Sequence, residues 1–267
     1  MTDSDKKYKE LIHYLESLGN VAVAYSGGVD STFLLKAARE ALGNRVLAMT
    51  VNSPYIPEWE INEAAELAKE INVEHIIVEA PVAEQIRNNP KDRCYLCKTF
   101  IFNMLKEIAI QKGFNQVIDG TNAEDSEDDR PGMKALRELN IKSPLRDTGF
   151  SKQDIRKYSK IKKLPTWDKP AYACLLTRLP YEKELDPEDL KKIEKAEKYL
   201  IDLGIRAVRV RVHDDLARIE TNPEQLKKIF NENLIESISR QLKRIGFKYV
   251  TLDLEGYRTG SFKEVFR

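Results

Sequence analysis

The chain has 267 residues, of which 42% are hydrophobic and 33% are charged, and its formal net charge at pH 7 is +1. This length allows one large domain or two smaller ones, while the near-neutral charge excludes a global field that would draw the chain onto nucleic acid or an anionic membrane. No apolar run approaches the roughly 20 residues of a membrane span, and the polar, acidic start does not resemble a signal peptide, so we expect a cytoplasmic protein without a membrane partner.

Predicted strands and helices alternate through the N-terminal two-thirds of the chain. Because this order is typical of an α/β fold, we expect a parallel sheet covered by helices on both faces. Ligands of such sheets bind beyond the carboxyl ends of the strands. The predicted strands are 21–25, 46–51, 75–79 and 117–120, and the predicted helices are 31–42, 58–71 and 99–112.

The most informative segment joins the first predicted strand to the helix after it. Its residues are Ser26, Gly27, Gly28, Val29, Asp30 and Ser31. Two glycines let the backbone turn tightly and approach a ligand, and the hydroxyl groups and helix N–H groups attract an anion. An ordinary tight turn would also use two glycines, but the whole string between a strand and a helix favours phosphate binding. It resembles the SGGxDS loop of the ATP pyrophosphatases, which implies that it binds ATP.

A second polar segment, 120–122, follows the strand predicted at 117–120 and opens an acidic loop at 124–129. We predict that Asn122 and Asp125 orient ATP or hold Mg²⁺, and that Asp30 is a further Mg²⁺ ligand. For the other carboxylates of this loop, a solvated surface role is the simpler interpretation.

Cys94 and Cys97 form a C-x-x-C pair, and Cys174 stands alone. An odd number of cysteines in a cytosolic chain argues against a disulfide framework. The pair is compatible with zinc, with dithiol chemistry, with an iron–sulfur cluster or with inert thiols. A closed zinc site takes four ligands, whereas three thiolates suit a [4Fe–4S] cluster that keeps one iron open to an external ligand. We therefore favour an iron–sulfur cluster for Cys94 and Cys97, with dithiol chemistry and inert thiols as the open alternatives.

The order of predicted elements changes near residue 186, where a charged helix, a hairpin, a long helix and a last strand are predicted. These elements lie at 187–203, 207–212, 216–221, 224–245 and 249–254. We expect a nucleotide-binding domain over 1–185 and a smaller α+β domain over 186–267, which serves substrate binding or oligomerisation. In the hairpin, Arg209 and Arg211 share one face of a strand and can clamp a phosphate or a carboxylate. A solvent-facing charged strand is the alternative.

Several segments together resemble one family, the LarE-type ATP-dependent sulfur transferases of nickel-pincer nucleotide biosynthesis. They are spread over nearly the whole chain, at 25–31, 119–122, 143–146, 151–156, 164–171, 174–181, 209–213 and 253–260. The resemblance implies an ATP-pyrophosphatase (adenine nucleotide α-hydrolase-like) sheet. It also implies that ATP and Mg²⁺ adenylate a carboxylate of pyridinium-3,5-dicarboxylic acid mononucleotide and that sulfur then replaces AMP, which gives a thiocarboxylate.

The resemblance also implies residue roles. The loop at 26–31 holds the ATP phosphates, Cys174 is the sulfur-bearing cysteine, and Arg209 with Arg211 binds the substrate phosphate. Arg178 and Trp167 are further predicted substrate-binding residues. Trp167 is one of two aromatic residues that could stack on the pyridinium ring, although a role in the core is equally open. The second is Tyr172.

Family members that sacrifice their own cysteine sulfur need only the cysteine that matches Cys174. The additional Cys94 and Cys97 resemble the three-cysteine branch, which implies a [4Fe–4S] cluster on Cys94, Cys97 and Cys174. The free iron would bind hydrosulfide and deliver it to the acyl adenylate, with sulfide or a sulfur-donor protein as the source. A homo-oligomer is also expected.

Three other functions are compatible with parts of the sequence. A [4Fe–4S]-dependent tRNA thiolase should show a basic RNA-binding face, but the segment from Asp186 onward is only slightly basic. An ammonia-using synthetase of the same loop class would leave the cysteines unexplained. A non-enzymatic nucleotide-binding iron–sulfur redox sensor would bind ATP without releasing pyrophosphate.

Overall fold

The computed structural model describes residues 3–125 and 131–257. The chain divides into two compact units, the first formed by Met1–Ile86 and Lys91–Ala171, and the second by Arg87–Pro90 and Tyr172–Arg267. The short segment 87–90 therefore belongs with the C-terminal part of the chain. The domain boundary predicted between residues 185 and 186 stays a prediction.

The first unit contains a parallel sheet of four described strands, which confirms the predicted α/β fold. The strands are β1 (Val21–Ala24), β2 (Val46–Asn52), β3 (Glu74–Glu79) and β4 (Val117–Ile118). Their order across the sheet is β3-β2-β1-β4. Val21 pairs with Val46 and Ala22 with Val117, so β1 is an inner strand between β2 and β4. Its carboxyl end therefore lies between the carboxyl ends of these two strands.

Helices of the first unit pack on both faces of this sheet. Val23 and Ala48 share one core cluster with Phe33 and Leu34, whereas Leu47 shares the other with residues of the helix that carries the C-x-x-C pair. Alternate side chains of β1 and β2 thus point to opposite faces of the sheet and belong to two hydrophobic layers. The helices are α1 (Asp3–Ser17), α2 (Val29–Leu42), α3 (Glu58–Ile71), α4 (Arg93–Gln111), α5 (Gly132–Glu138), α6 (Pro144–Asp147) and α7 (Lys152–Ile161), with 3-10 turns at Glu84–Ile86 and Pro165–Asp168.

Several boundaries in the first unit differ from those predicted, and two of them bear on the site. Helix α4 begins at Arg93 rather than at residue 99, because the N–H groups of Tyr95 and Leu96 already bond to the carbonyl oxygen of Asp92. The C-x-x-C pair is consequently helical. Strand β4 ends at Ile118 rather than at residue 120, because the N–H of Asp119 turns to the carbonyl oxygen of Lys142.

The second unit contains α8 (Pro187–Asp202), a three-stranded sheet and two further helices, after a 3-10 turn at Leu175–Arg178. Strands β5 (Arg209–His213) and β6 (Leu216–Glu220) form the predicted hairpin, and β7 (Tyr249–Leu252) runs parallel to β6. The prediction of one helix at 224–245 is wrong. The structure has α9 (Pro223–Ile229) and α10 (Glu232–Ile245), because the side chain of Asn231 accepts the N–H of Leu234 and starts a new helix.

Among the helices of the described residues, none has both the length and the apolarity needed to cross a bilayer.

Candidate active site

The loop at 26–31 is folded into a compact cradle after β1. The Ser31 hydroxyl oxygen accepts the N–H of Ser26 at 3.3 Å and lies 3.1 Å from the Ser26 hydroxyl. Gly28 precedes α2 in an extended conformation and has no side chain with which to cap the helix. Because the first N–H groups of a helix lack partners within it, this cradle presents them together with two hydroxyl groups to an anion. The residues present therefore fit a polyphosphate.

Two glycines set the depth of the cradle. Gly27 has a φ of +66°, and a Cβ atom there would lie 2.9 Å from the Cβ atom of Ala64 on α3. A Cβ atom on Gly120 would lie 3.0 Å from the backbone nitrogen of Ser31. Glycine at these positions thus lets the end of β4 and the side of α3 approach the loop, which explains Gly120 in the segment 119–122.

The structure brings Asp30, Asn122 and Asp125 together at the mouth of the loop, and their predicted roles toward ATP and Mg²⁺ stay predictions. The Asn122 amide donates to Asp30 at 3.4 Å, and the backbone N–H of Asn122 donates to Asp125 at 3.1 Å. Both oxygens of Asp30 accept from Nζ of Lys152 at 2.7 Å. Carboxylate and amide oxygens are ligands that Mg²⁺ accepts, so this group fits the ion. Binding through Asp30 would exchange the Lys152 ammonium group for the metal.

Two lysines of this site escaped the residue-by-residue prediction. Lys152 is the first residue of α7 and follows its N-cap, Ser151. Lys169 has a largely buried side chain whose Nζ donates to the carbonyl oxygen of Gly27 at 3.1 Å and to Glu63 at 2.9 Å. Both lie inside segments that carry the family resemblance, which was the available signal.

Cys94 and Cys97 lie three residues apart in the first part of α4, so they share one face of the helix. Cys94 is exposed, while Cys97 is half-buried with its Sγ 3.2 Å from the hydroxyl group of Tyr55. Burial raises the pKa of Cys97 and outweighs the hydrogen bond with Tyr55, which lowers it. A cation bound to both sulfurs would relieve this penalty, so the pair fits two of the ligands of an iron–sulfur cluster.

Cys174 belongs to the second unit and precedes the 3-10 turn Leu175–Arg178. The structure therefore places the three cysteines on two units, Cys94 and Cys97 on the first and Cys174 on the second. In the described part of the chain, no group of three His, Cys, Asp or Glu side chains is gathered tightly enough to hold a metal ion. The three-cysteine ligand set stays a prediction.

Arg178 is almost fully buried and holds the Cys174 segment in place. Its guanidinium forms a two-pronged ion pair with Glu197 on α8, with both N–O distances at 2.8 Å. It also donates to the carbonyl oxygens of Ala173 and Cys174 at 2.7 and 3.1 Å. Arg178 thus has a clear structural task, and its predicted contact with substrate stays a prediction.

Arg209 and Arg211 lie on one face of β5, as predicted, but they are buried. The Arg209 guanidinium lies between the rings of Tyr172 and Tyr257, 5.5 and 5.2 Å from their centroids. Burial and the positive charge of Arg178 lower the pKa of Arg209. The open alternative of a solvent-facing charged strand is therefore wrong.

Arg211 donates to Glu220 and to the carbonyl oxygen of Thr177. Close to these residues, Arg209 and Arg178 add two more positive charges, whereas Glu197 and Glu220 supply two negative ones. Three arginines buried close together favour an anionic ligand.

Trp167 lies on the first unit and is partly exposed. Nζ of Lys160 stands 4.6 Å from the centroid of its ring, and Arg156 donates to its backbone carbonyl oxygen at 2.7 Å. Its aromatic face is thus already used by a cation on one side.

The loop, the polar end of β4 and the parallel sheet together define an ATP pyrophosphatase of the PP-loop class. In agreement, the family model described as queuosine biosynthesis protein QueC matches residues 20–91.

Three relatives match nearly the whole chain. The uncharacterized protein slr1717 of Synechocystis sp. is 39% identical over 98% of this chain and 98% of its own length. The pyridinium-3,5-bisthiocarboxylic acid mononucleotide synthase of Lactiplantibacillus plantarum is 37% identical over 97% of this chain and 94% of its own length. The uncharacterized protein MJ0830 of Methanocaldococcus jannaschii is 38% identical over 90% of this chain and 91% of its own length. The chain belongs to the LarE-type family and is an ATP-dependent sulfur transferase.

Proposed function

We propose that this enzyme adenylates a carboxylate of pyridinium-3,5-dicarboxylic acid mononucleotide and converts it to a thiocarboxylate, with hydrosulfide as the sulfur source. The relative from Lactiplantibacillus plantarum, whose name refers to the corresponding bisthiocarboxylic acid, supports this choice of substrate. We further propose that the enzyme acts in the cytoplasm as a homo-oligomer and receives sulfur as sulfide or from a donor protein.

In the first step, a carboxylate oxygen of the substrate attacks the α-phosphorus of ATP and pyrophosphate leaves. The serine hydroxyl groups and helix N–H groups of the loop would hold the β- and γ-phosphates, where negative charge accumulates. Asp30, with Asn122 and Asp125 beside it, would hold Mg²⁺, which neutralises the leaving pyrophosphate. Lys152, displaced from Asp30, would remain as a cation beside the phosphates.

In the second step, hydrosulfide attacks the acyl carbon, AMP leaves, and the C–O bond to AMP is replaced by a C–S bond. We propose that Cys94, Cys97 and Cys174 hold a [4Fe–4S] cluster. When bound, the cluster supplies an open iron that can carry hydrosulfide, so no cysteine sulfur is consumed. The helical C-x-x-C pair supports this proposal, because it offers two neighbouring thiols for one metal centre.

Arg209 and Arg211 are the proposed ligands of the substrate phosphate. Their shared face on β5 and the buried guanidinium of Arg178 nearby support this role. Trp167 is proposed to stack on the pyridinium ring.

The observation that carries the function is the loop at 26–31 on the end of β1, in a chain that the Lactiplantibacillus plantarum synthase matches over nearly its whole length. The test uses the full chain purified without oxygen and incubated with the dicarboxylic mononucleotide, ATP, Mg²⁺ and sulfide. We expect AMP, pyrophosphate and thiocarboxylate in equal amounts over many turnovers. About four irons and four sulfides per chain should be present and should be lost in Cys97→Ala.

Other outcomes separate the alternatives. An iron-free protein in which Cys174 loses its sulfur after one turnover would overturn the cluster and leave a sacrificial enzyme. Copurification of tRNA, with thiolation of the tRNA instead of the mononucleotide, would indicate a tRNA thiolase. ATP binding without any pyrophosphate would leave a nucleotide-binding sensor.

A further inference from the structure

The segment between β2 and α3 brings a buried phenol group to the C-x-x-C pair. The N–H of Ile56 bonds to the carbonyl oxygen of Ser53 at 2.8 Å, which closes a turn with Pro54 at its second position. Tyr55 follows Pro54 in this turn and is only 2% exposed. Its hydroxyl group stands 3.2 Å from Sγ of Cys97.

The chemistry of the two groups fixes the direction of this hydrogen bond once Cys97 binds a metal. A metal-bound cysteine is a thiolate and carries no proton, whereas a tyrosine hydroxyl keeps its proton at neutral pH. The phenol must then be the donor and the sulfur the acceptor. The contact is within the range of a hydrogen bond to sulfur, and Cys97 is the less exposed cysteine of the pair.

We propose that Tyr55 is a positioning residue of the iron–sulfur site, which holds the sulfur of Cys97 by an O–H···S hydrogen bond and raises the reduction potential of the cluster. This inference rests on the proposed function, because it requires a cluster on Cys97. A donor to a thiolate ligand withdraws electron density from the iron and stabilises the more negative, reduced state. Such a bond makes the site asymmetric, since Cys97 is half-buried against a phenol and Cys94 is exposed.

The test compares the wild-type chain with Tyr55→Phe and with the control Tyr14→Phe. In both variants a single phenol hydroxyl is lost, but the hydroxyl of Tyr14 bonds to Asp147 at 2.9 Å on the surface of the first unit. Iron and sulfide contents are measured first, and the midpoint potential is then followed by paramagnetic resonance during a reductive titration. We expect unchanged iron content in all three proteins, a more negative midpoint potential in Tyr55→Phe alone, and a wild-type potential in Tyr14→Phe.

A measurement on the wild-type chain guards against a folding defect in Tyr55→Phe. Exchange into deuterated water should shift an iron–thiolate stretching band in the vibrational spectrum of the wild-type cluster, because the bonded phenol proton exchanges. Equal midpoint potentials in wild type and Tyr55→Phe, or no deuterium shift, would overturn the role of Tyr55 while leaving the cluster intact. A wild-type chain without iron would instead remove the cluster on which the inference rests.

Discussion

At the scale of single residues, the proposed Mg²⁺ site requires that the carboxylate of Asp30 exchanges one partner for another. Asp30 is neutralised by Lys152 in this structure, and the same carboxylate is the proposed ligand of Mg²⁺. The pair is partly exposed, so it contributes less than about 1 kcal/mol to folding. Because Asp30 belongs to the nucleotide loop, we infer that the Asp30–Lys152 pair serves the reaction rather than folding.

We predict that Lys152→Gln slows pyrophosphate release by roughly ten- to a hundredfold with little loss of stability, because a cation beside the leaving group is removed. Lys7→Gln is the matched control, since Lys7 forms an ion pair of the same length, 2.7 Å, with Asp154 on the same helix, also partly exposed. Pyrophosphate formation and the melting temperature are measured for both. Equal activities of the two variants would show that Lys152 has no role beyond its ion pair.

Gly27 offers a second test at this scale. We predict that Gly27→Ala loses ATP binding and costs about 1–2 kcal/mol for its positive φ, plus about 1–3 kcal/mol for the contact with Ala64. Gly113→Ala is the control, because Gly113 has a φ of +82° but no heavy atom within 4 Å of an added Cβ atom. Urea unfolding and ATP titration are the measurements. A Gly27→Ala variant that is no less stable than Gly113→Ala would contradict the close approach of α3.

At the scale of secondary structure, α7 begins with a capping box that also fixes Lys152. The Ser151 side chain accepts the N–H of Asp154 at 3.1 Å, and Asp154 accepts the N–H of Ser151 at 3.1 Å. Burial opposes the charge of Asp154, but Lys7 and Ser151 outweigh it, so the pKa of Asp154 lies below its ordinary value. A lowered carboxyl pKa stabilises the folded state above the ordinary pKa, and this stability disappears as the pH falls through the lowered pKa.

We therefore predict that Asp154→Asn is less stable than wild type at neutral pH and that the gap narrows below about pH 4. Urea unfolding at a series of pH values measures it. A gap that stays constant from neutral to acidic pH would show that the charge of Asp154 does not contribute.

The elements of the first unit were largely predictable, and the reason is local. The strands β1 and β2 are apolar runs, and the helical period of α3 gives its bounds, Glu58–Ile71, without error. The start of α4 and the break between α9 and α10 were missed, because they depend on backbone and side-chain capping bonds that no apolar period reveals. In the site, the loop itself was evident from its residue types.

The partners of the site residues depend on contacts distant in sequence and could not be predicted. Asp30 meets Lys152, Cys97 meets Tyr55, and Arg178 meets a buried glutamate. None of these pairs shares a motif or a helical spacing.

At the scale of the whole molecule, the nucleotide-binding domain has one end predicted from composition and another where the compact unit ends. The boundary predicted from composition separates residues 185 and 186, whereas the second compact unit takes in 87–90 and everything from Tyr172 onward. Asn89 shows why the short segment belongs there. Its side-chain amide donates to the carbonyl oxygens of Leu179 and Pro180 at 3.2 and 2.7 Å.

The buried ion pair between Arg178 and Glu197 provides a test of the two boundaries. Glu197 lies on α8 and is only 2% exposed, so a fragment that begins at residue 186 leaves its carboxylate buried without the guanidinium. Breaking a buried pair in this way costs about 3–5 kcal/mol, which is a large part of the stability of a small domain.

We predict that the fragment 172–267 unfolds cooperatively in urea and that the fragment 186–267 does not. Glu197→Gln in the shorter fragment should restore part of the transition, because an amide removes the charge and still accepts the N–H that Val210 donates to this side chain. Circular dichroism during urea titration measures all three. If the fragment 186–267 unfolded at the same urea concentration as 172–267, the boundary predicted from composition would be correct, and the Arg178 pair would belong to the junction between domains instead of to the core of the second one.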